Sequence, residues 1–283
     1  MNNINKLLAA CLLTSSMLLG VTPVVTAAEA PSLGEASAFA VLSAASGVGG
    51  AVTCTDSTID GNVGSSGFPA SVVQTGCANT GAIVAPVSAQ VLTDFNNEYD
   101  ALAAIACDEV LTGTLADVTL TPGVYCFDAA ATVTGTLTLD GSSTDVWIFK
   151  VGTSGTGALT GTDFSVVMAN GASACNVYWW VAQATTMTTS NFKGTILAGA
   201  AITMTGGTFA GRALAKAAVT MTGVAATGCD GGTIKPPKQK CNQGVGNGPE
   251  GCDPGNSNQG DPSRSNDELG GVPGNPGRQG GNK

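Results

Sequence analysis

Few residues in this chain offer a start for chemistry. It has no histidine, which removes imidazole bases, His-ligated zinc and Ser-His-Asp triads. Asp117, Asp128, Asp140, Asp145 and Asp163 fall singly in turn-rich sequence, where aspartate is ordinary. A β-helical polysaccharide lyase or hydrolase would need clustered carboxylates, or a cationic base, in one groove. Asp253, Asn256, Asn258 and Asp261 could hold calcium but lack the EF-hand spacing and its closing Glu. No enzyme activity, cofactor or metal is expected. The thiols suggest structure: without Cys11 there remain Cys54, Cys77, Cys107, Cys126, Cys175, Cys229, Cys241 and Cys252. An even number suggests disulfides, and nearest-neighbour pairing (54–77, 107–126, 175–229, 241–252) closes modest loops.

Hydroxyls carry the clearest pattern. Thr186-Met187-Thr188, Thr203-Met204-Thr205 and Thr220-Met221-Thr222 recur at intervals of seventeen residues, with Phe192 matching Phe209 and Gly194 matching Gly211. Looser copies lie upstream at Thr132-Val133-Thr134 and Ala158-Leu159-Thr160. Such a repeat suits a mainly β fold: a three-sided (triangular) parallel β-solenoid, or β-helix, with three short strands per coil. Strand alternation turns Val133, Leu159, Met187, Met204 and Met221 inward. The outward residues form two expected columns. One holds Thr132, Ala158, Thr186, Thr203 and Thr220; the other holds Thr134, Thr160, Thr188, Thr205 and Thr222. Threonine is also a good exposed strand residue with no function attached. Yet exposed solenoid faces normally carry charges that block edge association, and these columns carry none.

Other elements must position that array. Pro86 opens a helix over 86–106, in which Val87, Val91, Phe95, Tyr99, Leu102 and Ala106 form an apolar stripe. Asn96, Asn97, Glu98 and Asp100 fall on its other face. The stripe is expected to cover one side of the solenoid, lying on outward Ala198, Ala213 and Ala215. With 40 glycines, 5% aromatic and 11% charged residues, the core is expected to be Val, Leu and Met ladders rather than large rings.

Residues 1–28 read as a secretory signal: Lys6, an apolar stretch from Leu7 to Val21, and the small residues Val25-Thr26-Ala27-Ala28. A retained anchor is the rival reading, although Thr14, Ser15 and Ser16 interrupt the apolar run. No membrane span is expected after signal removal. The folded body is assigned to 29–232, its main coils to 110–228, and a disordered Gly/Pro/Asn-rich tail to 233–283. Between Glu29 and Gly232 the cations are Lys150, Lys193, Arg212 and Lys216, against fifteen acids. Such a body does not neutralise phosphates, so nucleic acid is not an expected partner.

The strings LGEASAFAVL (33–42), PGVYCF (122–127), TGTLTLDG (134–141), WIFKVG (147–152), NVYWW (176–180), FKGTILA (192–198), GRALA (211–215) and VTMTG (219–223) resemble the microbial ice-binding protein family. That resemblance implies a secreted antifreeze protein, with a long helix on one solenoid face and a flat hydroxyl-bearing face that adsorbs to ice. It would depress freezing and inhibit ice recrystallisation, as a monomer. It also implies a binding-face pattern Thr-Ala/Gly-x-Thr/Asn, which Thr205-Gly206-Gly207-Thr208 fits and Thr188-Thr189-Ser190-Asn191 fits loosely. Residues 52–83 resemble a disulfide-closed cap. The expected ice-facing residues are Thr132, Thr134, Thr160, Thr186, Thr188, Thr203, Thr205, Thr208, Thr220 and Thr222. A non-enzymatic cell-surface adhesin or matrix protein, attached through the tail, is the alternative.

Overall fold

The computed structural model describes residues 28–229. The signal and anchor readings, the tail and the Cys241–Cys252 pair lie outside the described residues.

Strands of two to ten residues, broken by turns, pair in parallel with the strands of coils above and below. Their registers resolve into three ladders. The first runs, in spatial order, through Ile83–Val84, Asn62–Ser65, Phe39–Ser43, Ala213–Ala215, Thr195–Ala198, Val177–Val181, Trp147–Val151, Gly123–Phe127 and Glu109–Leu111. Long strands such as Thr185–Lys193 and Ile202–Ala210 are interrupted in the middle by left-handed residues, Thr189 and Gly206. Their first halves build the second ladder and their second halves the third.

Spatial order differs from chain order. Val41 and Leu42 of the first coil pair with Ala213 and Leu214 of the last, and Thr53 pairs with Thr220. The chain therefore builds one end of the stack, crosses to the other end, and winds back onto its own beginning. The crossing is made by helix α1, Ala89–Ala104. Eight strand steps need about 38 Å at the parallel-sheet spacing, and α1's sixteen residues span about 24 Å; extended residues on either side supply the remainder.

The N-cap of α1 is Ser88, whose hydroxyl accepts the Val91 N–H at 3.3 Å. Pro86 lies two residues before that cap, so the helix is shorter than the expected 86–106, and Ala106 is exposed beyond its end. Lys150, on the first ladder, is 4% exposed and donates to the carbonyls of Ala103 (2.9 Å) and Ile105. A cation there satisfies carbonyls that the helix end leaves open and complements its dipole. Burial pushes the Lys150 ammonium below its ordinary pKa.

The helix lies on the ladder expected, but on the opposite residue set. Ala198, Ala213 and Ala215 point into the solenoid interior. Leu42, Leu197, Leu214, Tyr178 and Trp180 face α1, packing with Val91, Phe95, Tyr99 and Leu102. A strand buried on both faces has no polar alternation, so its parity cannot be read from the sequence. Glu98, expected on the solvent side, is also buried and accepts the Ser32 N–H at 3.0 Å. Burial raises its carboxyl pKa and that hydrogen bond partly offsets the rise.

The inward turn of Val133, Leu159, Met187, Met204 and Met221 is as expected, but they share the interior with rings. Thirteen of the fourteen aromatic residues are buried, and Phe68 is the exception. Tyr125 stacks on Phe149 at 5.6 Å and Phe149 on Trp179 at 4.0 Å; Phe192 and Phe209 continue the row. The aromatics are few, and between residues 123 and 210 one to three rings per coil fill much of the narrow interior.

Cys54–Cys77, Cys107–Cys126 and Cys175–Cys229 are disulfides, as nearest-neighbour pairing gave.

Candidate functional site

Between its two end strands the first ladder is covered by α1, so the second and third present the regular outer surfaces. On the second, residues 114–116, 131–134, 159–162, 185–188, 202–205, 219–222, 52–55 and 72–75 stack in that order. One outward column is Thr114, Thr132, Thr160, Thr186, Thr203, Thr220 and Thr53, ending at Val73. The other begins at Ala116 and continues through Thr134, Thr162, Thr188, Thr205, Thr222, Thr55 and Thr75. Neighbours within a column are about 4.8 Å apart and neighbours across columns about 6.6 Å. Every one of these threonines is exposed or half-buried, between inward positions that are mostly buried.

Repeat spacing alone misplaced one coil. Thr160 pairs with Thr132 and Thr186, and Thr162 pairs with Thr188. Thr160 therefore belongs to the first column rather than the second, and Thr162 takes the place assigned to it. Ala158 stands two residues earlier and Leu159 lies level with Thr185. The error came from aligning Leu159 with the methionines; Gly161, which leaves no side chain to align, is the true counterpart of Met187. Sequence reading also missed Thr53, Thr55, Thr75, Thr114 and Thr162. Thr53-x-Thr55, Thr114-x-Ala116 and Thr160-x-Thr162 carried the signal but Thr75, after Val73, did not, and 53–55 and 72–75 lie far from the repeat in the chain.

Thr208 is placed elsewhere. It stands on the third ladder beside Asn191, to which its hydroxyl donates at 2.7 Å. The Thr205-Gly206-Gly207-Thr208 motif therefore straddles a corner. This corner repeats from coil to coil as a column of left-handed residues: Asp117, Gly135, Asp163, Thr189, Gly206, Gly223, Asp56 and Gly76 all have φ between 46° and 66°. Asp117 Oδ1 accepts the Thr136 N–H at 2.9 Å, and Thr189 donates to Asp163. A Cβ at Gly135 would stand 2.6 Å from that Asp117 oxygen. Carboxylates therefore clasp the next coil along the rim, leaving the face clear.

No ionisable residue stands on the second ladder. Lys150 and Arg212 are buried on the first ladder, with Arg212 Nε donating to the Ser37 carbonyl at 2.9 Å. Lys216 pairs with Asp100 at 3.6 Å and caps the Tyr99 ring at 3.8 Å. Lys193 and Asp60 interrupt the third ladder, whose other outward residues include Val167 and Ala210. Among the described residues, one hydrogen bond joins two hydroxyls of this lattice, Thr132 to Thr160 at 3.4 Å within the first column. The others have no protein partner and are left to solvent. No group of metal-ligating residues occurs among the described residues, and no helix there is long and apolar enough to cross a membrane.

The fold and this face define a class: a parallel β-solenoid with one side covered by a helix and another presenting an uncharged hydroxyl lattice. The chain belongs to the ice-binding-like family, which matches residues 41–227. An ice-binding protein of Nostoc sp. (strain HG1) is 37% identical over 182 residues, covering 62% of this chain and 65% of that protein. One from Flavobacterium frigoris (strain PS1) is 32% identical over 189 residues, covering 60% of this chain and 66% of that protein. The match thus spans about two thirds of those relatives' lengths. Among solved structures, an ice-binding protein from an Antarctic biological consortium superposes with a TM-score of 0.63 at 32% identity, covering 71% of this chain and 93% of that one. An ice-binding protein domain of Shewanella frigidimarina gives 0.61 at 28%, covering 72% and 99%.

Proposed function

We propose that this chain is a secreted, non-enzymatic antifreeze protein that adsorbs to ice through the two threonine columns of its second ladder. The observation that carries the reading is the lattice itself: hydroxyls and methyls at fixed spacing, without a charge and almost without internal hydrogen bonds. Family membership and relatives named for ice binding support it. The contact residues are Thr132, Thr134, Thr160, Thr186, Thr188, Thr203, Thr205, Thr220 and Thr222, joined by Thr162; Thr208 flanks them across the corner.

Each threonine offers a methyl that resists strong hydration and a hydroxyl that anchors one water. Repeated at two fixed intervals, they hold surface water in positions a crystal plane can incorporate. Once that layer freezes, every contact must break together for release. Growth continues only as curved fronts between bound molecules, which lowers the freezing point and blocks recrystallisation. Rigidity is essential, and stacked coils, corner hydrogen bonds and disulfides supply it. Three ladders imply a three-sided cross-section, and the monomer suffices because the face lies on one chain. Export follows from residues 1–28 and accords with the disulfides.

Ice-affinity partitioning of residues 29–232 tests the reading. The protein is expected in the ice fraction, and exclusion from it would reject the proposal.

A further inference from the structure

Beside the two threonine columns runs a third outward column. Two residues before the first threonine of a coil stands an alanine: Ala130, Ala158, Ala184, Ala201, Ala218 and Ala51. The carbonyls of the last five accept the N–H groups of Ala131, Leu159, Thr185, Ile202 and Val219 at 2.9–3.0 Å, so this column is as regular as its neighbours. None of these alanines belongs to the buried core, so core packing does not set their size. The repeating rank is Ala-x-Thr-x-Thr, with x pointing inward. It holds in all the inner coils and degrades at both ends of the stack, to Thr112-x-Thr114-x-Ala116 and Ser71-x-Val73-x-Thr75.

One complete rank, Ala51-Thr53-Thr55, comes from the opposite end of the chain. It is locked to the last rank by a buried bracket: Ser43 Oγ accepts the Ala51 N–H at 2.9 Å and donates to the Ala217 carbonyl at 2.7 Å. At the far side of the rank the Gly223 N–H donates to the Thr55 carbonyl at 2.9 Å. Between Thr53 and Thr55, Cys54 turns inward and is bonded to Cys77. The bracket and the Gly223–Thr55 hydrogen bond thus hold the first coil in phase with the last, while the disulfide fixes it to the next strand outward, 72–75.

We propose that the whole Ala-x-Thr-x-Thr rank is the unit that meets ice, and that the first coil supplies one of these units. The inference rests on the second ladder being the ice-facing surface and extends it in two directions, sideways to the alanines and along the stack to Ala51, Thr53 and Thr55. A methyl at the alanine positions lies no higher than the threonines and holds no tightly bound water. A ring or an ammonium there lifts the neighbouring hydroxyls off a crystal plane. The face is complete only when both chain ends are docked.

Ice-affinity partitioning of the full secreted chain distinguishes the outcomes, with Ala201→Tyr, Ala201→Lys and Thr53→Tyr compared with Thr203→Tyr in the central columns. Ala225→Tyr, on the exposed third ladder, serves as the control. Far-UV circular dichroism and the melting temperature report folding, and Ala201→Lys keeps the test decisive if the ring disturbs the corner. Ala201 and Thr53 variants are expected to lose at least about tenfold in ice-bound fraction, as Thr203→Tyr does, while Ala225→Tyr partitions like the parent. Parent-like partitioning of the Ala201 and Thr53 variants beside an excluded Thr203→Tyr overturns the inference and leaves the narrower face standing. Parent-like partitioning of Thr203→Tyr rejects the second ladder altogether.

Discussion

At the scale of the residue, threonine works here by its size and its lack of partners. Thr203 and Thr205 lie in the middle of their columns, flanked on both sides by further threonines. Bulk there acts on the whole surface, because a rigid lattice cannot tilt around one protrusion. Thr203→Tyr or Thr205→Tyr is therefore expected to abolish thermal hysteresis with the melting temperature unchanged within about 1–2 °C. Thr203→Val keeps the methyl and the shape, and should retain more hysteresis than either. Equal loss in all three would mean that the hydroxyl, not the contour, is the essential feature.

The columns themselves were legible in the sequence wherever the seventeen-residue interval held. They failed at Gly161, where a missing side chain removed the mark that fixes phase. A different residue-scale expectation concerns the tyrosines. All three are buried, and burial raises each phenol: Tyr99 to about 12, with Tyr125 and Tyr178 also above the ordinary 10.0. The unfolded chain ionises first, so the stability these groups contribute is intact below pH 10 and is lost as pH rises towards 12. Tyrosinate absorbance at pH 10.5 should thus be lower in the folded protein than in the unfolded chain, and the Tyr99 share should appear together with loss of the circular dichroism signal. A smooth titration at pH 10 with the fold intact would contradict the burial.

At the scale of the element, the helix and the ladder beneath it show which information a sequence carries. The stripe of Val91, Phe95, Tyr99 and Leu102 was visible because the other helix face is polar, and all four are buried as expected. The strands below gave no such contrast: Leu197 and Ala198 are both apolar and both fully buried. Which one faced the helix depended on where α1 lay, a tertiary fact. Lys150 was likewise read only as a scarce cation, although it closes the helix end. Replacing it with Met keeps the stem's volume and deprives the Ala103 and Ile105 carbonyls of their donor. Losing the donor of these partly buried acceptors costs about 1–3 kcal/mol. At about 2–4 °C per kcal/mol for a body of this size, a fall of several degrees in melting temperature is expected. Ice partitioning below that transition should be unaffected, because Lys150 lies on the ladder that α1 covers.

At the scale of the whole molecule, the defining feature is that the first coil is laid onto the last. A solenoid built only in chain order ends in an open strand edge and an uncovered interior. Here the returning chain pairs Val219–Thr222 with Val52–Thr55, and the stack ends instead on short strands with polar Gln74 and Asn79 at inward positions. The arrangement was not legible from the repeat, since 52–55 precedes the helix and the rest of the repeat follows it. It also makes the terminal coils the place where the face could loosen. Cys54–Cys77 ties the two outermost strands of the second ladder across 23 residues. A loop of that length contributes about 3 kcal/mol in the chain-entropy account. Cys54→Ala with Cys77→Ala is therefore expected to lower the melting temperature by about 6–12 °C. The loss should also be local. Amides of 52–55 and 72–75 are expected to lose hydrogen-exchange protection well before those of 202–205, which lie inside the stack. If protection fell evenly along the ladder, the coils would be a single cooperative unit, and the docking of the chain's two ends would not be its weakest joint.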